Sequence, residues 1–407
     1  MAFMMLLCAV PFMANAEDSE VFTEGYYAYT IENDKATITD CDDSISGDIV
    51  IPGTLGGYPV VAIGYEAFLK CASITSVIIP DSVVSIGMVA FALCTGLTSI
   101  KIPDSVVSIG IGAFYACTGL TSVTLPSSVE TIDWYAFGFC TSLSSVIIPE
   151  GVTKIGYGAF IGCPSLKSVT LPKSLTEISM DAFGRLLEYS EIEGGYIAGE
   201  MLQGFTIIGY KGSEAEKYAN HYDELKFVAI NEVVNSDTGA YITYLDGVYS
   251  GDITLNVSLV TEGVAFNVLN TEKKNCQKVL FDITTTVDGE KVQPNGSVWV
   301  KIPLPKGYDP KNTTVYYITN DGRLEKLESS IVDGYIIFET THFSYYAVVD
   351  ETEKEAPADP SQPDNPSANC PCYCHKKGIA NFFFKIILFF QKIFKQNKQC
   401  KCGIAHY

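Results

Sequence analysis

Seven soft metal ligands fall within 37 residues near the C-terminus of this 407-residue chain. Cys370, Cys372, Cys374 and His375 precede an apolar run, and Cys400, Cys402 and His406 follow it. Thiolate and imidazole are the donors of tetrahedral zinc, so zinc is the one cofactor the sequence suggests. The spacing is C-x-C-x-C-H and C-x-C rather than C-x2-C. Three outcomes stay open: zinc, disulfides of an oxidising exterior, or free thiols. A helix over 380–395 would be about 24 Å long. Its flanks reach back about 30 Å at most, so one joint site barely closes.

The run between the clusters has its own pattern. Ile379, Phe382, Phe383, Ile386, Ile387, Phe390, Ile393 and Phe394 recur at helical spacing, with Asn381, Lys385, Lys392 and Lys395 opposite. Such a basic amphipathic helix can lie in a membrane interface, touching it through Phe382, Phe383, Lys385, Ile386, Phe390, Lys392 and Phe394. Docking on a protein partner is the plain alternative. Two internal lysines make it a poor spanning helix.

Two further constellations lie nearer the N-terminus. Ser76, Ser99, Ser122, Ser145 and Ser168 recur every 23 residues, beside Ile78, Lys101, Thr124, Ile147 and Thr170. A hydroxyl ladder of this kind can hydrogen-bond a glycan or a peptide; equally, Ser and Thr simply suit exposed strands. Trp134, Tyr135, Tyr157, Tyr115 and Phe139 form an aromatic group, which marks an interaction site if exposed and packing if buried. Catalytic chemistry is poorly served. The chain has four His, of which His221 and His342 read as structural, and no G-x-S-x-G, H-E-x-x-H or phosphate-binding glycine loop. No enzymatic activity is expected.

The elements that must position these residues repeat with a period of 23. Phe68, Phe91, Phe114, Phe137, Phe160 and Phe183 each follow an Ala, and the first five precede Cys71, Cys94, Cys117, Cys140 and Cys163 by three residues. Apolar columns follow at Ile74/Leu97/Leu120/Leu143/Leu166, at Val77/Ile100/Val123/Val146/Val169 and at Ile79/Ile102/Leu125/Ile148/Leu171. The last is always closed by proline, at Pro80, Pro103, Pro126, Pro149 and Pro172. Strict columns at this period mean a stacked solenoid. Side chains alternate along each short strand, and proline ends it because it cannot donate to a ladder. One coil cannot bury its own Phe and Leu; stacked coils can, at about 4.8 Å spacing. Equal spacing sets the five Cys parallel rather than facing, which predicts small buried core residues without bridges among them.

The pattern L-x-x-[VI]-x-[IL]-P, then V-x-x-I-G, then A-F-x-x-C, resembles the leucine-rich repeats of the BspA-like type, over about residues 45–230. The resemblance implies a curved solenoid on bacterial surfaces and in secreted proteins, acting as an adhesin or binding scaffold for an extracellular protein or glycan, without catalysis. The tail, ending in C-x-C-G-x-A-H-Y, resembles a Cys-rich motif of secreted clostridial proteins.

The full reading of the chain is mainly β: a leucine-rich-repeat solenoid, a β-sandwich module and a C-terminal amphipathic helix. Residues 1–16, apolar and ending Ala14-Asn15-Ala16, read as a secretory signal peptide. Residues 17–66 read as an N-terminal cap and first repeat, 67–183 as the repeats, and 184–230 as an insertion and C-terminal cap with a short helix after Ser213. Residues 231–350 carry β-branched and aromatic runs between turn dipeptides such as Asp288-Gly289, the pattern of a β-sandwich, and the region resembles the immunoglobulin-like accessory modules of secreted clostridial proteins. Residues 351–368, acidic with four prolines, read as a disordered linker, and 369–407 as the Cys-rich tail. That tail holds seven Lys and no acid, leaving 20 basic against 47 acidic residues, a net −27, elsewhere. An acidic body argues against nucleic acid. The expectation is a secreted or cell-surface binding protein.

Overall fold

The structure, a computed structural model, describes residues 20–190 and 195–352. The expected signal peptide (1–16), nearly all of the linker of 351–368 and the whole Cys-rich tail (369–407) lie outside the described residues. Within them the chain is mainly β, with two short helices, and divides into two compact units between Ala229 and Ile230.

The first unit is a solenoid. Each coil contributes one strand of three to five residues and one of two. Ser76, Val77 and Ile78 pair in parallel with Ser99, Ile100 and Lys101; Ser122, Val123 and Thr124 pair with Ser145, Val146 and Ile147. The two-residue strands Ser85–Ile86, Ser108–Ile109, Thr131–Ile132, Lys154–Ile155 and Glu177–Ile178 pair successively, also in parallel. Every one of these pairings is offset by 23 residues, so the sequence period is the register. Between the two strands the chain turns at proline. The Pro80, Pro103, Pro126 and Pro149 carbonyls accept the N–H of Val83, Val106, Val129 and Val152 at 3.1–3.2 Å. The proline that ends the strand thus seeds the turn that follows.

Like stacks on like in the interior. Phe68, Phe91, Phe114, Phe137, Phe160 and Phe183 form a continuous ring stack, with centroids 4.8–5.4 Å apart and planes within 13° of parallel. All six are buried. Each contributes about 1.5–3 kcal/mol through burial, and the 5 Å interval is set by the strand ladder rather than by the rings.

Both ends are closed. At the N-terminus the hairpin of Tyr27–Glu32 and Lys35–Cys41 extends the sheet, with Thr37 and Ile38 pairing in parallel with Ala62 and Ile63. At the C-terminus the expected break in period is a hairpin, Arg185–Ser190 with Gly195–Met201. Strand Thr206–Tyr210 then resumes the ladder, pairing with Ser168–Thr170, and Phe205 lies 6.3 Å beyond Phe183. The helix Glu214–Ala219 follows. Its Ser213 makes no side-chain cap; the hydroxyl donates to the Tyr210 carbonyl at 2.5 Å, and Glu216 accepts the Gly212 N–H at 2.6 Å.

The second unit holds two antiparallel sheets. One contains Tyr241–Leu245, Val298–Pro303, Tyr335–Thr340 and Ser329–Val332. The other orders Thr254–Leu259, Gln277–Val287, Tyr345–Asp350, Thr313–Ile318 and Leu324–Leu327. Ile242, Val300 and Phe338 of the first share a core with Val257, Ile283, Tyr346 and Val348 of the second. A helix, Val264–Glu272, lies outside the all-β reading of this region. Its Leu269 packs with Leu280, Tyr316, Ala347 and Val349 in a separate small core. That cover explains why Tyr346–Asp350 is buried without alternation: a strand apolar on both faces needs both faces covered.

Candidate binding surface

The solvent side of the longer strands carries the serine column, and the structure brings its members together as the period demands. Ser76 is opposite Ser99, Ser122 opposite Ser145, and Ser168 opposite Thr206. A neighbouring column of hydroxyls behaves differently. Thr98 donates to the Thr75 carbonyl at 2.9 Å, Thr121 to that of Thr98 at 3.3 Å and Ser144 to that of Thr121 at 3.2 Å. Those hydroxyls are consumed in holding coil to coil. Among the described residues, Ser99, Ser122, Ser145 and Ser168 make no side-chain hydrogen bond, so their hydroxyls face solvent. Ser76 is the exception. It and Thr75 both donate to the Asp48 carboxylate at 2.7 Å, and the Ser76 bond chiefly holds that carboxyl below the usual range. Lys101 is exposed and Thr124 half-buried in the adjacent column.

The aromatic group splits in two. Trp134 is 52% exposed, its indole lying over Gly156, where a Cβ would meet Cδ1 at 2.7 Å. Tyr135 is buried, not on the surface. Its ring packs edge-on against Tyr115 at 6.5 Å and Tyr157 at 5.5 Å, and burial pushes its phenol up. Phe139 joins Tyr115 at 5.1 Å. Tyr157 is half-buried.

Reading by residue type missed a column that reading by position reveals. Tyr65, Met88, Ile111, Trp134, Tyr157 and Met180 occupy one position of successive coils. Tyr65, Trp134 and Met180 are each more than half exposed, and the other three are half-buried. Beside this stripe in sequence, Ser85, Gly87, Ser108, Gly110, Thr131 and Asp133 line a shallow groove of about 490 Å³. Large apolar side chains side by side on an exposed face are a common mark of an interaction surface.

The ladder cysteines are interior. Cys94, Cys117, Cys140 and Cys163 donate to the carbonyls of Phe68, Phe91, Phe114 and Phe137 at 3.0–3.3 Å. Burial pushes the Cys117 and Cys163 thiols up to about 12, and Cys94 and Cys140 upward as well. Among the described residues no three metal-ligating side chains converge. The predicted zinc ligands Cys370, Cys372, Cys374, His375, Cys400, Cys402 and His406 lie outside them, as do the membrane-contact residues Phe382, Phe383, Lys385, Ile386, Phe390, Lys392 and Phe394. His342 stacks edge-on against Tyr317 at 4.5 Å, and His221 against Tyr222 at 4.9 Å.

In-register parallel coils, a phenylalanine spine and proline-seeded turns define a leucine-rich-repeat solenoid. Residues 61–188 match the model of the BspA type leucine rich repeat region in six copies. A leucine-rich repeat protein of T. pallidum is 32% identical, over 39% of this chain and 82% of that one, with a TM-score of 0.35. One from Bacteroides capillosus is 36% identical, over 27% of this chain and 84% of that one, with a TM-score of 0.25. A leucine rich cell surface protein of Faecalibacterium prausnitzii is 28% identical, over 46% of this chain and 64% of that one, with a TM-score of 0.33. Residues 61–188 belong to the BspA-type leucine-rich repeat family. Proteins of this type are typically found at the cell surface or secreted. No helix among the described residues is long and apolar enough to cross a membrane.

Proposed function

We propose that this chain is a non-enzymatic adhesion protein, secreted or held at the cell surface, whose solenoid presents a recognition face to an extracellular protein or glycan. The observation that carries this reading is the contrast between two hydroxyl columns. One is spent on coil-to-coil bonds; the other, Ser99, Ser122, Ser145 and Ser168, has no protein partner among the described residues and repeats at one per coil. A rigid ladder of donors matches an extended ligand at little ordering cost. Trp134 and Tyr157 offer apolar contact in the stripe. Residues 231–350, as an immunoglobulin-like accessory module, would present the solenoid, and the tail would touch the envelope.

The test uses the full chain on immobilised matrix proteins and on a glycan array. Changing Ser99, Ser122 and Ser145 together to Glu places three charges on the ladder without touching the core. Loss of at least tenfold in binding with an unchanged Tm supports the reading. Unchanged binding to every ligand that wild type captures overturns it.

A second reading places function in the tail, as a membrane-active or zinc-binding factor. Its support is the pattern of Phe382, Phe383, Ile386, Phe390 and Phe394 with Lys385 and Lys392, flanked by the Cys and His clusters. Flotation of full-length protein with anionic liposomes, lost when Lys385 and Lys392 become Glu, together with stoichiometric zinc in reduced protein, would favour it. A form ending at Ala368 that binds as wild type does would remove it.

A further inference from the structure

The cysteine ladder has a break at its N-terminal end, and the break is chemically specific. Four ladder thiols each donate to a phenylalanine carbonyl of the preceding coil. Cys71 belongs to the first coil that carries this Cys; the residue 26 positions before it is Ile45 rather than Phe, and Cys71 makes no such bond. In that place stands Cys41, the last residue of cap strand Lys35–Cys41. The two sulfurs lie 2.8 Å apart, both buried, joined by a hydrogen bond across 30 residues of sequence. No repeat unit supplies Cys41, and its separation from Cys71 is not a multiple of 23. The geometry that keeps the other thiols parallel therefore does not apply to this pair. The pair faces; the ladder does not.

We infer that Cys41 and Cys71 are a disulfide-forming site, which cross-links the N-terminal cap to the first coil when the folding chain meets a disulfide oxidant. The oxidant is a small-molecule or protein disulfide, and the exchange balances as follows. The Cys71 thiolate attacks one sulfur of the oxidant, forming a mixed disulfide and releasing the other sulfur as a thiolate, which takes up the proton that Cys71 lost. Cys41, deprotonated, then attacks the Cys71 sulfur, forming the Cys41–Cys71 bond and expelling the second thiolate, which takes up the Cys41 proton. Two protein thiols are oxidised, and one oxidant disulfide is reduced to two thiols. Either sulfur can be the donor in the contact between them, so the roles of Cys71 and Cys41 in this exchange are interchangeable. The thiolate is the nucleophile at each step. Cys41 and Cys71 are only 7% and 5% exposed once the cap has closed, so the exchange belongs to the closing of the cap. The neighbouring ladder thiols are protonated at neutral pH by their burial and committed to carbonyls, so they stay reduced.

The consequence is mechanical. A solenoid is weakest at its ends, where a coil has one neighbour instead of two, and the cap covers the exposed core. A bond spanning 30 residues between cap and first coil removes loop entropy from the unfolded chain and suppresses fraying there.

The full chain, unfolded and reduced, is refolded with glutathione disulfide, denatured without reductant, alkylated and digested. Among the peptides of residues 20–229, the expected product is one pair joined through Cys41 and Cys71, with Cys94, Cys117, Cys140 and Cys163 recovered alkylated. Refolded wild type should show a Tm several degrees above its reduced form. That difference should shrink in Cys41→Ala and Cys71→Ala, each of which removes the bond without charging the core. Recovery of both Cys41 and Cys71 as alkylated thiols overturns the proposal. So does a mixture of bridges among the ladder cysteines. Linkage mapping needs no variant, so it decides the matter even if the alanine forms fold poorly.

Discussion

At the residue scale the molecule depends on identical side chains meeting identical side chains. Phe114 has one ring on each side, at 5.4 Å and 5.1 Å, and none of its surface reaches water. Phe114→Ala removes a ring from the middle of the spine, and the strand ladder prevents the coils from closing the gap. It should cost about 3–5 kcal/mol, read as a fall in denaturation midpoint with an unchanged slope. A cost under about 1 kcal/mol would mean that the spine is not continuous. The second unit offers a charged counterpart. Glu351 accepts from Lys273 Nζ at 2.8 Å and from the Tyr316 hydroxyl, and the lysine bond chiefly holds its carboxyl below the usual range. A depressed acid contributes stability that is present above the ordinary glutamate range and lost as pH falls through the lowered value. Both partners are partly exposed, so about 0.5–1 kcal/mol is expected at neutral pH. Glu351→Gln should remove that amount at pH 7 and flatten the acid limb of the stability profile; an acid limb identical to wild type would refute the assignment.

At the scale of the coil, the corner after each two-residue strand turns through left-handed backbone. Glu66, Val89, Gly112, Tyr135, Gly158 and Asp181 occupy one position of successive coils, and all have φ between +49° and +60°. The ladder imposes this conformation whatever the residue. A β-branched side chain there is strained by about 1–2 kcal/mol, which glycine escapes. Val89→Gly should therefore stabilise or leave the solenoid unchanged despite losing a side chain. Gly158→Val should destabilise it by at least 1–2 kcal/mol, since its Cβ would also meet Tyr135 Cε1 at 2.9 Å. Paired thermal melts decide this; equal and opposite shifts to those stated would show that the corner relaxes. The same comparison explains what was legible in the sequence. Core columns, strand positions and the proline turns follow from a period that every coil obeys, because stacking demands it. The corner accepts Val, Glu, Tyr and Gly alike, so no residue type announces its conformation. The helix Val264–Glu272 went unread for a local reason: it begins at glycine, with no side-chain cap, and contains Val, Asn and Thr, which favour other conformations. Of the candidate face, the serine column was legible by period. The stripe from Tyr65 to Met180 was not, because its members share bulk and exposure but not type. Cys41 lies in the cap, outside the period that makes Cys71 legible.

At the scale of the whole repeat stack, stability and recognition should both scale with the number of coils. Each coil touches only its neighbours through 23-residue offsets, as every parallel pairing from Ser76 to Ile178 shows. In such an array stability is a sum of coil terms and nearest-neighbour interfaces. Deleting residues 118–140 removes one complete period, joins Cys117 to Thr141 and brings Phe114 onto Phe160. That chain should fold, keep its β-type circular dichroism, and melt cooperatively at a Tm lower by several degrees. Deleting residues 129–140 shortens the chain by about half a period and shifts every later core residue out of its column. It should abolish cooperative melting of the first unit. If the serine ladder is the recognition face, the one-coil deletion should also weaken ligand binding in proportion to the donor removed with Ser122, whereas a ligand held at a single coil would lose all or nothing. Equal stability of the two deletions would contradict the nearest-neighbour construction on which the whole surface depends.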